Sequence, residues 1–413
     1  LHDRRGAQRL RRNYLMSATD FDVIVAGAGP AGSTVSTLLA QHGHQVLMIE
    51  RGRHPRFHIG ESMLPCSSPV FERLGIQLEA SDYQRKDGAE FIDEGTGQSI
   101  RFALNGQYQP YQVERARFDH SLADNAVAQG VRLHQDETVH RVHIDETVVQ
   151  IETDRQQYTA RYLVDATGRS AFMGRRASAI QRIEGLGCFA LYAHYRVSSP
   201  QARALFESGD IKVLMQDIGW IWVIPLVNDR LSVGLVVRDK SATALRGAAL
   251  FEKYLAASPL LQELLHAAEA EAGVRSEADF SFSNQQRYGQ RYACCGDAAG
   301  FLDPVFSSGV FFAVVGAERI ADRLNVALLN GTEAAADLLA SDGRELEEGF
   351  NTMRLFIERF YRSDMVQRLF FEADRSETIK QEISALLSGD LWRSDNAFQR
   401  MLLEGRQGRK RTA

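Results

Sequence analysis

At 413 residues, with 44% hydrophobic and 24% charged side chains, the chain is long and apolar enough to bury a sizeable multilayered core. A formal net charge of −5 leaves no basic excess for a nucleic-acid partner, and no stretch approaches the roughly 18 continuous apolar residues of a membrane span. Cys66, Cys188, Cys294 and Cys295 show no C-x-x-C spacing, so we expect buried thiols, no metal, and a cytoplasmic protein.

Arg4, Arg5, Arg9, Arg11 and Arg12 form a basic tail ahead of Met16. We expect residues 1–19 to be a disordered extension, with Met16 as the natural start. Asp20 and Asp22 interrupt the apolar segment that an export signal would need. Phe21-Asp-Val-Ile-Val-Ala26 then predicts a strand. It runs into Gly27-Ala-Gly29-Pro30-Ala31-Gly32, a helix from Ser33 to about Gln41, a second strand to Ile49, and Glu50. This order is a dinucleotide-binding turn. Gly27 permits the tight turn, Gly29 lets the backbone approach a pyrophosphate, and Gly32 lets helix and strand pack closely. The helix N-terminus supplies free N–H groups, and Glu50 stands where an acid accepts a ribose hydroxyl. Pro30, Ala31 and Arg51 complete the expected contact set. The stretch His54-Pro-Arg-Phe-His58 reads as a turn around Pro55, with no chemistry assigned to either histidine.

Further along, Arg161-Tyr-Leu-Val-Asp165-Ala-Thr-Gly168 and Tyr292-Ala-Cys-Cys-Gly296-Asp297-Ala-Ala-Gly300 are apolar strands ending in acid-bearing turns. Between them lie strands expected at Cys188–Val197, Ile211–Gln216, Ile221–Ile224 and Leu231–Val237. The third holds Trp220-Ile-Trp222-Val-Ile224-Pro225. Two indoles one residue apart on a strand face the same side. They are core packing, a partition, or both. From Glu318 to about Leu387 the spacing of apolar residues predicts helices, with an aromatic run at Phe356, Phe360, Tyr361, Phe370 and Phe371.

The glycine turn, Asp165-Ala-Thr-Gly168 and Gly296-Asp297 together closely resemble the p-hydroxybenzoate-hydroxylase type of FAD enzyme. That resemblance implies a Rossmann-type α/β FAD domain over 20–328, with an interleaved substrate-side β-sheet built from 83–112 and 186–285. A C-terminal helical region would follow over 329–413. It also implies Asp297 on the ribityl chain, Arg115 of Glu114-Arg-Ala-Arg-Phe118-Asp119 near the diphosphate, Val139 at the adenine, and Asp165 in the cofactor set.

Three further segments resemble the flavin-dependent halogenases. They are Trp220-x-Trp222-x-Ile224-Pro225, Phe301-Leu-Asp-Pro304-Val-Phe306-Ser307-Ser308-Gly309, and Lys86-Asp-Gly88-Ala89-Glu-Phe91. The resemblance spans Asp20 to about Asp364. It implies that reduced FAD, supplied by a separate flavin reductase, forms a C4a-hydroperoxide with oxygen. Pro304 and Gly309 join the cofactor set, and chloride or bromide, held by the N–H groups of Ser308 and Gly309, is oxidised to hypohalous acid. Trp220 and Trp222 keep the arene from the flavin, and Lys86 directs the halogen. Lys212, Lys240, Lys253, Lys380 and Lys410 lack Lys86's context. Phe306 stands where the tryptophan-halogenating branch has a glutamate, and phenylalanine is no base. The loop therefore resembles the branch acting on phenols and pyrroles, free or tethered to a carrier protein. Rival expectations are an NAD(P)H-dependent aromatic hydroxylase, a geranylgeranyl-reductase-like enzyme, and a redox-inactive flavin-binding protein.

Overall fold

The computed structural model of the protein describes residues 19–104, 107–239, 244–278, 280–361 and 376–410, the last six by backbone alone. The basic tail, Lys240, Phe370 and Phe371 lie outside the described residues, as does the Lys410 side chain.

The first unit is β1 (Phe21–Ala26), α1 (Pro30–Gln41) and β2 (Val46–Glu50). The helix begins three residues before the expected Ser33, because Pro30 at its first position has no N–H to leave unpaired. Next come β3 (Gly88–Asp93), β4 (Gln98–Ala103) and α2 (Arg115–Ala128). β5 (Arg132–Gln135), β6 (Val139–Ile144), β7 (Val149–Thr153) and β8 (Gln157–Asp165) lead into β9 (Phe189–Arg196). β10 (Ile211–Gln216), β11 (Gly219–Leu226) and β12 (Arg230–Val237) are consecutive antiparallel strands. After β13 (Tyr292–Cys294) the chain is mostly helical, with α3 (Ser308–Asn330), α4 (Ala340–Phe360), α5 (Glu377–Leu387) and α6 (Ala397–Lys410). α3 starts ten residues before the expected Glu318, and it runs across the boundary expected after residue 328.

Two eight-stranded sheets carry the architecture. The first has a parallel centre in the order β13, β8, β1, β2, β5, with the antiparallel β6–β7 pair joined to β8. Its central strands β1 and β2 are buried nearly throughout, as strands covered on both faces require. The second joins β9, β12, β11, β10, β3 and β4 in that order, so the segments 83–112 and 186–285 share one sheet. In it Phe91, Val213, Trp222, Gly234 and Tyr192 stand directly opposite one another on five neighbouring strands. They therefore lie on one face. Phe91, Val213, Trp222 and Tyr192 belong to the same apolar core as α1, α3 and α4. Ile221, Val223 and Leu235 point the other way, into a second core with Leu250, Phe251 and Leu261. One continuous core thus binds the nucleotide sheet, the tryptophan face and the C-terminal helices, which seats the sheet's Trp face against the Gly296–Gly309 segment.

Candidate active site

The glycine turn has the geometry its chemistry requires. Gly27 has φ +107°, and a Cβ there would come within 2.2 Å of the Ala166 carbonyl oxygen. A Cβ on Gly32 would lie 1.9 Å from the Gly27 oxygen. Gly29 differs: the nearest atom to its would-be Cβ is the Arg56 guanidinium at 3.8 Å. Its side is open, and no side chain caps α1. An open glycine before uncapped N–H groups is a cradle for phosphate.

Glu50 is buried and accepts from the N–H groups of Ala28 at 2.9 Å and Gly52 at 3.0 Å, and from Arg56 at 3.3 Å. Burial opposes its charge, yet Arg56 and the two N–H groups hold its pKa below the usual value. A carboxylate has about four acceptor positions. Three are filled here, which leaves one on Oε1 for a hydroxyl. Arg115 starts α2 and grips Asp119 with Nε at 2.7 Å and Nη2 at 3.0 Å, while Nη1 donates to the carbonyls of Ile59 and Gly60. Arg56 escaped notice in the sequence. It lies within 3.7 Å of Asp119 as well as contacting Glu50, so it stands at the mouth of the turn between two acids. Nothing in its local sequence marks it apart from its place after Pro55. Arg51 points away to the Ser170 hydroxyl at 3.2 Å. Val139 opens β6 just past Glu137, whose N–H bonds the Glu50 carbonyl.

Asp165 has its carboxylate fully engaged within the protein. It is fully buried; one oxygen takes the N–H and hydroxyl of Thr167, and the other takes the N–H of Met173. Its carboxylate braces the turn into the helix Phe172–Arg176. Asp297 is the opposite case. It is partly exposed, and no hydrogen bond to its carboxylate is found among the described residues. Burial of its surroundings raises its pKa to about 6, against the pull of Arg115 and Arg169. An unpartnered carboxylate in such a place fits a cofactor hydroxyl. With the open Gly29 cradle, these residues fit FAD.

Trp220 and Trp222 are buried, with ring centroids 6.0 Å apart and planes at 51°. Trp222 lies across Gly234 on the next strand, where a Cβ would sit 2.1 Å from its ring. Its Nε1 donates to Ser232 at 3.1 Å. Trp220 Nε1 donates to Tyr361 at 2.9 Å. Burying each indole contributes on the order of 3 kcal/mol, so packing and partition coexist.

Phe301–Gly309 runs from the Gly296 turn into α3. Ser307 has φ +57°, the left-handed region, and Ser308 then begins a helix of 23 residues with no side-chain cap. A left-handed residue followed by the helix's free N–H groups makes an anion-binding concavity. Phe306 is buried, stacked on Phe356 at 4.2 Å and edge-on to Phe360 and Phe91. It clamps the loop to the second sheet and to α4.

Lys86 sits between the short strand Gln84–Arg85 and β3. Its side chain is 1% exposed, and its amine has one hydrogen bond, to the Met63 carbonyl at 3.0 Å. Burial lowers its pKa to about 7, despite the opposing pull of Asp210. Lys212 is paired with Glu90 at 2.5 Å, and Lys253 covers the Tyr254 ring. Cys294 and Cys295 are buried free thiols, that of Cys295 pushed up to about 12 by burial. No cluster of metal-ligating groups is found among the described residues, and no helix there is long and apolar enough to cross a membrane.

Comparison with known proteins identifies the chain's relatives. The family model described as tryptophan halogenase matches residues 22–108 and 98–402. The chain is 26% identical to a 1H-pyrrole-2-carbonyl-[peptidyl-carrier protein] chlorinase of Pseudomonas fluorescens, over 91% of each chain. It is 27% identical to the corresponding brominase of Pseudoalteromonas luteoviolacea, over 93% of this chain and 97% of the other. A solved flavin-dependent brominase superposes with a TM-score of 0.84 at 25% identity, covering 95% of this chain and all of that one.

Proposed function

The chain belongs to the tryptophan-halogenase family of flavin-dependent halogenases, and from that premise we propose that it halogenates an electron-rich arene, with Lys86 carrying the halogen. It is an FAD-dependent halogenating oxidoreductase that uses chloride or bromide. The observation that carries the mechanistic reading is the buried Trp220–Trp222 face, packed in one core with the Phe301–Gly309 loop.

Reduced FAD, when bound, supplies with oxygen and halide the hypohalous acid that the protein then handles. The Gly27–Gly32 turn and Arg56 hold the diphosphate, Glu50 a ribose hydroxyl, and Asp297 the ribityl chain. The N–H groups of Ser308 and Gly309 bind halide, leaving it unpaired with a cation and so nucleophilic. The two indoles fill the space that an arene would need to reach the flavin, and a small neutral acid passes. At Lys86 the lowered pKa keeps much of the amine neutral near pH 7. A neutral amine attacks hypohalous acid: the N–X bond forms, the X–O bond breaks, and the oxygen leaves as water with the amine's proton. The arene then takes the halogen from nitrogen, and the ring proton it loses restores the amine.

Phe306 cannot serve as the base that a glutamate would be at its position. That favours rings reactive enough to need no such help. Among the relatives compared, those matched over nearly their whole length act on pyrrolyl groups tethered to a carrier protein. We take a pyrrole on a carrier protein as the substrate, and a separate flavin reductase as the source of reduced FAD. The test supplies reduced FAD, oxygen and bromide to the enzyme with pyrrole-2-carbonyl carrier protein, free pyrrole-2-carboxylate, or a phenol. Mass spectrometry should show halogenated carrier-bound product. Hydroxylated product in place of a halogenated one sinks the reading, and equal turnover of the free acid sinks the tethered substrate.

A further inference from the structure

Asp303 stands immediately before Pro304 and is 1% exposed. One of its oxygens, Oδ1, accepts from the Val305 N–H at 3.0 Å and from the Tyr361 hydroxyl at 2.7 Å. Its other oxygen accepts from the Cys188 thiol at 3.4 Å. The Tyr361 oxygen in turn accepts from Trp220 Nε1 at 2.9 Å. The Arg238 guanidinium lies 3.7 Å over the Tyr361 ring and donates to the Gly185 carbonyl at 2.8 Å. Chemistry fixes the direction of this chain. An indole N–H only donates and a carboxylate only accepts, so the hydroxyl between them must accept from one and donate to the other.

We propose that the Trp220–Tyr361–Asp303 chain is a positioning device that locks the halide loop to the tryptophan wall. The proposal rests on the reading of those two segments as halide site and partition. A single carboxylate sets both ends of the link. It caps the turn Pro304–Phe306 that precedes Ser307 and Ser308, and through Tyr361 it holds the indole that borders the partition. The wall therefore cannot shift relative to the loop without breaking a buried, charge-assisted hydrogen bond. Phe306 secures the same loop by apolar contacts, but those tolerate sliding, whereas a two-bond chain of fixed direction does not. Hypohalous acid made beside the loop must cross at the wall, so the spacing between the two decides whether it reaches the arene or escapes.

Tyr361→Phe removes both hydrogen bonds and keeps the ring under Arg238. For each oxygen consumed, one measures halogenated product, free hypohalite trapped with monochlorodimedone, and hydrogen peroxide, together with the bromide KM. In Tyr361→Phe the bromide KM should rise about tenfold, as loss of a hydrogen bond to a charged group implies. Free hypohalite and peroxide should grow at the expense of product, with FAD affinity near wild type. Asp303→Asn keeps an oxygen acceptor for Tyr361 and Val305, so it should fall between wild type and Tyr361→Phe. A lower melting temperature with unchanged bromide KM and unchanged partition would make the chain a mere brace and overturn the proposal. If wild type itself shows no saturation by bromide, the halide reading of the loop falls and the lock falls with it. Saturable bromide dependence identical in wild type and Tyr361→Phe overturns the lock alone.

Discussion

The nucleotide turn and the tryptophan–lysine side are built on opposite plans. At the turn the protein leaves things undone. Gly29 faces open space, α1 has no side-chain cap, and the Asp297 carboxylate has no hydrogen-bond partner among the described residues. Across the second sheet the protein closes the surroundings of the indoles and of Lys86. Both indole N–H groups are bonded, Gly234 gives up its side chain to a ring, and Lys86 is sealed. An unfinished polar surface awaits a large ligand, whereas the packed indoles keep one away from it. The pairing suits an enzyme whose cofactor and substrate stay apart while something small travels between them.

The contrast can be broken hardest at Lys86. Lys86→Ala should cut halogenated product by about 10² to 10⁴-fold while oxygen consumption continues and hypohalite appears in solution. Product formation near wild type would show that the sealed amine is a bystander. Next comes Gly234→Ala, which drives a methyl group into the Trp222 ring. Overpacking of this kind costs about 1–3 kcal/mol. Thermal unfolding should register that cost, and turnover should leak hypohalite as the wall is displaced. An unchanged partition would mean Trp222 only fills space. On the open side, Asp297→Asn weakens one charge-assisted hydrogen bond, so FAD affinity should drop about tenfold without altering the partition of oxidant. A shift in partition there would blur the distinction between the two sides.

The smallest effect is in pH. The neutral amine of Lys86 is the reactive form, so product formation should rise as pH increases through about 7. Stability follows the same group. Its pKa is lowered on folding from 10.5, so the unfolded chain binds the proton more tightly between those values. The cost is fully present below about 7 and fades as pH climbs toward 10.5. Lys86→Met should flatten the pH dependence of unfolding across that window.

The open side was the more legible in the sequence, because backbone conformation leaves residue-level marks. Gly27, Gly29 and Gly32 mark the turn, and the strands around them are mostly apolar. Asp165 and Asp297 show the limit. Both follow apolar strands in similar turns, yet one carboxylate is consumed by Thr167 and Met173 while the other has no hydrogen-bond partner among the described residues. Only folding decides which N–H groups arrive. Arg56 was invisible for the same reason, since its meaning comes from Glu50 and Asp119, brought to it by β2 and α2. On the finished side, the tryptophan pair and the Pro304–Gly309 loop were evident as motifs. Their link through Tyr361 was not, since it joins three distant segments by a hydroxyl.

The partition itself is tested most directly by isotope. Wild-type enzyme is given reduced FAD, ¹⁸O₂, bromide and an electron-rich pyrrole or phenol, and the products are weighed by mass spectrometry. The account predicts brominated arene carrying no ¹⁸O, with the label in water. Arene hydroxylated with ¹⁸O would place the ring in contact with the oxidised flavin site and contradict the wall.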